Sequence, residues 1–104
     1  MEIAQTPAPP YVAVIFTSLR TDGDHGYSEM SERMVELAQR YDGYLGIESA
    51  RDGLGISVSY WTDHAAALAW KLDVDHLAAQ RLGRERWYSA YRVRVAEVVR
   101  DYGS

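Results

Sequence analysis

The chain has 104 residues, 47% of them apolar and 25% charged, and a formal net charge of −4. That is the length and balance of one folded domain. The negative charge gives no electrostatic reason to approach a nucleic-acid backbone or an anionic bilayer, so neither nucleic acid nor membrane is expected as a partner. The chain has no cysteine, which excludes disulfides, thiolate metal sites and thiol nucleophiles and fits a reducing cytoplasm. Three Trp and eight Tyr stand beside a single Phe, and aromatics with a polar tip favour interfaces and pocket walls.

Residues 1–10 carry no basic cluster and no apolar core, so they read as a flexible leader rather than a signal peptide, ahead of a single domain over residues 11–104. Nor is any apolar stretch long enough to cross a bilayer. Tyr11 to Leu19 is rich in branched and aromatic residues and apolar on both faces, which predicts a strand buried on both sides. Asp22-Gly23-Asp24 is turn chemistry. Beyond it Tyr27, Met30, Met34, Leu37, Ala38 and Tyr41 recur at spacings of three and four, the pattern of an amphipathic helix, with Gly43 in the place of a C-cap.

Tyr44 to Ala50 and Gly55 to Trp61 predict two short strands around an Asp52-Gly53 hairpin. In the second, Ile56, Val58 and Tyr60 share one face while Ser57, Ser59 and Trp61 share the other. Thr62 or Asp63 caps a following helix whose core stripe is expected to be Ala65, Leu68, Ala69 and Leu72, with Ala66 and Trp70 on an adjacent stripe. A separate helical piece is expected from Asp73 or Val74 to about Leu82, stopped by Gly83. Trp87 to Tyr102 reads as a final extended run of about 16 residues, on the order of 50 Å, longer than a domain of this size pairs internally.

The order strand, helix, strand, strand, helix, strand predicts an α+β, ferredoxin-like βαββαβ domain with an antiparallel sheet. Two helices cover one face of such a sheet. The doubly apolar first strand and the overlong last one therefore both call for a cover on the other face, and a second copy of the chain, paired about a two-fold axis, supplies it.

Chemistry-bearing residues are densest at Ser59-Tyr60-Trp61, Trp70-Lys71, His76-Leu77-Ala78-Ala79-Gln80 and Gly83-Arg84-Glu85-Arg86-Trp87-Tyr88. Here the chain resembles the antibiotic-biosynthesis-monooxygenase superfamily, over nearly all of Tyr11 to Tyr102 and including the Val14 to Ser18 strand. The resemblance implies a dimeric ferredoxin-like α/β barrel. It also implies a cofactor-free monooxygenase acting on a small aromatic or polyketide-like compound, in which the deprotonated substrate itself passes an electron to dioxygen.

On the residues alone, His76 and Gln80 are four apart and share a helix face, with Ala79 and Gly83 leaving space beside them. Trp70, six residues earlier, overhangs the same space, and together the three suit a planar organic ligand. The opposing reading makes His76 a structural core histidine, Gln80 a cap and Trp70 core filling. His76 is the candidate base, since an ordinary imidazole titrates near neutrality. Under the chemistry the resemblance implies, Tyr60, Tyr88 and Arg84 are candidates to stabilise a phenolate or peroxide, and Trp61 and Trp87 join Trp70 and Gln80 as candidate substrate contacts.

A second branch of the superfamily degrades haem. Its tryptophan matches Trp70, but its histidine position falls near Gln80 and its first-strand asparagine has no counterpart, so haem is not the expected cofactor. No metal is expected either. The pairs Asp24 with His25, Asp63 with His64 and Asp75 with His76 are neighbours that point apart on a helix, so none forms a chelate. Tyr44, Tyr60 and Tyr91 could imitate the base-stacking aromatics of an RNA-recognition sheet, but its glycine-aromatic signature is absent. A non-enzymatic, dimeric ligand-binding or scaffold domain is the competing reading.

Overall fold

A computed structural model describes residues 2–80 and 86–104, the side chains of 76–80 excepted. Its elements follow the expected order: β1 (Tyr11–Arg20), α1 (Tyr27–Gln39), β2 (Tyr44–Asp52), β3 (Leu54–Trp61), α2 (His64–Gln80) and β4 (Tyr88–Val98). The four strands form one antiparallel sheet in the order β2-β3-β1-β4. This is the ferredoxin-like α+β fold. Among the described residues, no helix is long and apolar enough to cross a membrane.

Strand register assigns the faces. Val14 stands opposite Ser59 and Val95, and Phe16 opposite Ser57 and Val93, so these side chains share the face toward the helices. Ile15, Val58, Tyr60 and Arg94 share the other. The core on the helix side gathers Val12, Val14, Ala38, Trp61 and Ala67. A smaller cluster joins Met30 of α1 to Trp87 just before β4. Caps define the helices: the Asp24 carboxylate accepts from the amides of Gly26 and Ser28, and Asp63 accepts from the amide of Ala66, satisfying donors that a first turn leaves unpaired.

Several expectations need correction. The helix is unbroken from His64 to Gln80; the expected stop at Leu82 and Gly83 lies outside the described residues. The stripe named for its core is wrong: Leu68 and Leu72 are 58% and 59% exposed, whereas Ala67 and Val74 are buried and Trp70 packs on the core. Two apolar stripes competed for one sheet contact. Trp70, which stacks on Trp61, offers more area than a leucine and sets the rotation of the helix.

The first helix ends at Gln39 with Arg40 as C-cap, and Gly43 serves instead in the turn before β2 with φ +89°. The last strand stops at Val98 and pairs along its whole length with β1, from Tyr11–Val98 to Arg20–Tyr88. Residues 99–104 lie beyond that pairing, where Asp101 accepts from the Tyr11 hydroxyl at 2.5 Å. The segment before β1 is also tied to the sheet, the Ala4 amide donating to Glu48 at 3.0 Å.

Candidate functional site

The alternation of β3 that places Trp61 in the core also turns Ser57 and Ser59 toward the helices, and Ser18 and Ser49 join them from β1 and β2. These small side chains leave the helices standing off the sheet. The result is a cavity of about 350 Å³, a size that holds a small organic ligand. Its floor is the four serines. Its walls are Tyr27, Met30 and Met34 of α1, Trp70, Lys71 and Val74 of α2, and Trp87 with Tyr88 at the start of β4.

The aromatic wall is fixed by its hydrogen bonds. Trp87 is 2% exposed and donates from Nε1 to the His25 carbonyl at 3.0 Å. Arg20 donates from Nε to the Trp87 carbonyl at 2.8 Å, while its guanidinium carbon sits 3.5 Å from the centre of the Tyr27 ring. Tyr27 meets Tyr88 edge-on at 5.7 Å. Burial first, and then the neighbouring Tyr27 hydroxyl, push the Tyr88 phenol well above its ordinary range, so at neutral pH it is a proton-bearing donor and not a base. Among the described residues, the buried Nε1 of Trp70 has no hydrogen-bond partner. Leaving a buried donor unmet costs about 1–3 kcal/mol.

Of the residues picked from the sequence, Trp70, Trp87 and Tyr88 come together in this cavity. Trp61 lies beneath it, fully buried, with Nε1 donating to Ser59 Oγ at 2.9 Å, and it supports Trp70 rather than facing the cavity. Tyr60 is on the opposite face of the sheet, its hydroxyl donating to Glu48 at 2.6 Å. It does not join the site, because strand alternation sends neighbours of Trp61 to the other side. The side chains of His76 and Gln80, and all of Arg84, lie outside the described residues. Tyr44 packs on Trp61 and Tyr91 on Phe16, both across the sheet from Tyr60, so the three tyrosines form no common stacking surface. Among the described residues no three His, Asp or Glu side chains gather as metal ligands. Asp24 caps α1, and His25 turns its ring to the Asp22 carbonyl.

The sequence reading missed the serine floor, the α1 wall and Arg51. Ser57 and Ser59 were legible as a polar face of β3. Arg51 was not, because only the fold brings it across Gly55 to Ser18.

A protein of Bacillus subtilis, the uncharacterized protein YqjZ, is 50% identical over 101 residues, an alignment covering 95% of this chain and 89% of the relative. The chain belongs to the same family as YqjZ. No family model matches it. Among solved structures it is similar to SnoaB of Streptomyces nogalater, a cofactor-independent oxygenase (12% identity, TM-score 0.64, 91% of this chain and 97% of that one). It is also similar to a proposed antibiotic biosynthesis monooxygenase of Nitrosomonas europaea (15% identity, TM-score 0.67, 95% and 99%). Protein SO0527 of Shewanella oneidensis has the same architecture (12% identity, TM-score 0.71, 86% and 92%). At such identities the likeness is one of fold: the ferredoxin-like fold that the resemblance implied, shared with SnoaB and with a proposed antibiotic biosynthesis monooxygenase.

Proposed function

We propose that the chain is a cofactor-independent monooxygenase that takes a small, planar aromatic compound into the cavity between sheet and helices. The observation that carries this reading is the cavity itself, walled by Trp70, Trp87 and Tyr88, the last a phenol kept protonated. The shared fold with SnoaB supports it.

Such a protein has three tasks: to bind the substrate, to remove a proton from it, and to keep water from the anion formed. For an anthrone, the ring methylene loses both hydrogens. One oxygen atom of O2 becomes the new carbonyl oxygen, the other leaves as water with those hydrogens, and four electrons pass from carbon to oxygen. Tyr88 donates a hydrogen bond to the developing oxyanion, and the Trp70 ring lies against the substrate. His76, on the helix that carries Trp70 and Val74, takes the proton, Gln80 contacts the substrate, and Arg84 is the further candidate to stabilise the phenolate or peroxide.

Oxygen uptake with a panel of anthrones and quinols tests the reading. Turnover by the parent, reduced at least about tenfold in His76→Ala and in Tyr88→Phe, is the expected result. Equal rates in parent and His76→Ala would remove the base. Binding without uptake would leave the non-enzymatic ligand-binding domain as the better description.

The sheet face away from the helices exposes Leu19, Leu54 and Ile56, at 43%, 50% and 43%. A second copy of the chain covers these side chains in a two-fold dimer within the cytoplasm. Sedimentation of the parent at twice the monomer mass, and of Ile56→Glu at the monomer mass, is expected; a monomeric parent would refute the dimer.

A further inference from the structure

We propose that Arg51 makes this cavity selective for a planar aromatic anion, the charge carried by a carboxylate or an ionised phenol, and that Gly55 is the seat that holds its guanidinium. The inference rests on reading the cavity as a ligand site and adds the class of ligand.

The first argument is the sign of charge. The chain as a whole is acidic, at −4, yet the described side chains lining the cavity include Arg51 and Lys71 and not one carboxylate. Lys71 is offset by Asp75, whose Oδ1 lies 2.9 Å from Nζ. Arg51 has no carboxylate within ion-pair distance among the described residues. In a protein of net negative charge, a wall with cations and no carboxylate favours an anion.

The second argument is how Arg51 is held. A long side chain near the end of β2 would ordinarily extend into water. Here it lies back across the hairpin over Gly55, where any β-carbon would overlap the guanidinium. Nη2 donates to Ser18 Oγ at 2.6 Å, and Nη1 to the carbonyls of Ser18 at 3.2 Å and Gly53 at 3.5 Å. Ser18 is itself 2% exposed, so the guanidinium is anchored to the cavity floor. Those contacts leave N–H groups of the fork unused, and the residue is exposed, which places it at the mouth. Gly55 has no positive φ and no turn to make; its lack of a side chain is explained by the guanidinium that occupies the space.

The third argument is the complement of polar and flat surfaces. Aromatic and methionine side chains on the helices face serine hydroxyls on the sheet across the cavity. A flat ring lies against the first set, its polar edge meets the second, and an anionic substituent reaches the guanidinium through charge-assisted hydrogen bonds.

Tryptophan fluorescence titration with anthraquinone-2-carboxylate, 2-hydroxyanthraquinone and the neutral anthraquinone-2-carboxamide tests this. In the parent at low salt, at least one of the two anions binds about tenfold or more tightly than the carboxamide, which corresponds to one charge-assisted contact. In Arg51→Gln the preference falls to within about twofold, the anions losing more affinity than the carboxamide. Gly55→Ala keeps the charge but displaces it, and so loses part of the preference; this variant also serves should Arg51→Gln unfold. Equal affinity for all three probes in the parent, or a preference that survives both substitutions, overturns the role of Arg51 and leaves the aromatic site standing. Binding of no probe overturns the aromatic site and this inference with it.

Discussion

Trp70 lies over Trp61 with ring centroids 5.1 Å apart and planes 29° from parallel, but among the described residues only one of the two indole N–H groups is partnered. The lower ring is core and the upper ring is the cavity wall. Trp70→Ala removes the wall and the stack, and is expected to cost about 3 kcal/mol or more in urea unfolding. Leu72→Ala, on the exposed stripe of the same helix, is expected to cost under about 1 kcal/mol. A reversed order would mean that α2 is rotated from the orientation described.

Gly43 and Gly53 both have left-handed backbones, at φ +89° and +78°. A β-carbon at Gly43 meets Thr62 Oγ1 at 2.5 Å and Ala66 Cβ at 2.8 Å, whereas one at Gly53 meets nothing within 4 Å. Alanine at either position carries the left-handed cost of about 1–2 kcal/mol, and Gly43→Ala adds overpacking of about 1–3 kcal/mol. Thermal melts of the two variants should separate accordingly, with Gly43→Ala the less stable.

Arg20 ties three pieces together, donating to the carbonyls of Trp87 and Gly23 and lying over Tyr27. Arg20→Met keeps the stem and loses the fork; about 2 kcal/mol of stability goes with it. Arg20→Lys is expected to restore less than half, since one ammonium cannot reach both carbonyls and cover the ring. Full restoration by lysine, measured by chemical denaturation, would show that charge alone mattered.

Burial, and then the hydrogen bond to Glu48, push the Tyr60 phenol from its ordinary value of 10.0 up to about 12. A phenol that holds its proton more tightly when folded contributes stability that is fully present below pH 10 and lost as pH rises toward about 12. In Tyr60→Phe the alkaline fall in stability is therefore shallower. It does not vanish, because the phenols of Tyr11 and Tyr88 are also raised. Unfolding followed at several pH values from 9 to about 12 checks this, and identical slopes in parent and variant would contradict it.

Much of the site was legible because strands alternate. Once Trp61 is placed in the core, Ser57 and Ser59 must face the same way and Tyr60 the other, and the sequence states that much. Tyr60, a candidate to stabilise a phenolate or peroxide, lies on the face away from the cavity, as the same alternation requires. The core stripe of α2 failed because Ala65-Leu68-Leu72 and Ala66-Trp70 are both acceptable helical stripes, and helical periodicity carries no information about which one meets a sheet.

The sequence by itself determined the order of elements, the turns at Asp22-Gly23-Asp24 and Asp52-Gly53, and the two-faced character of β3, because these depend on backbone preferences and on periods of 2 and 3.6 residues. Only the tertiary structure decided that Trp70 stacks on Trp61, that Asp101 returns to Tyr11, and that Arg51 crosses Gly55 to reach Ser18. Each of these joins residues on different elements. Their contact follows from strand register and helix rotation, which are settled by the packing of the whole chain and not by any one segment.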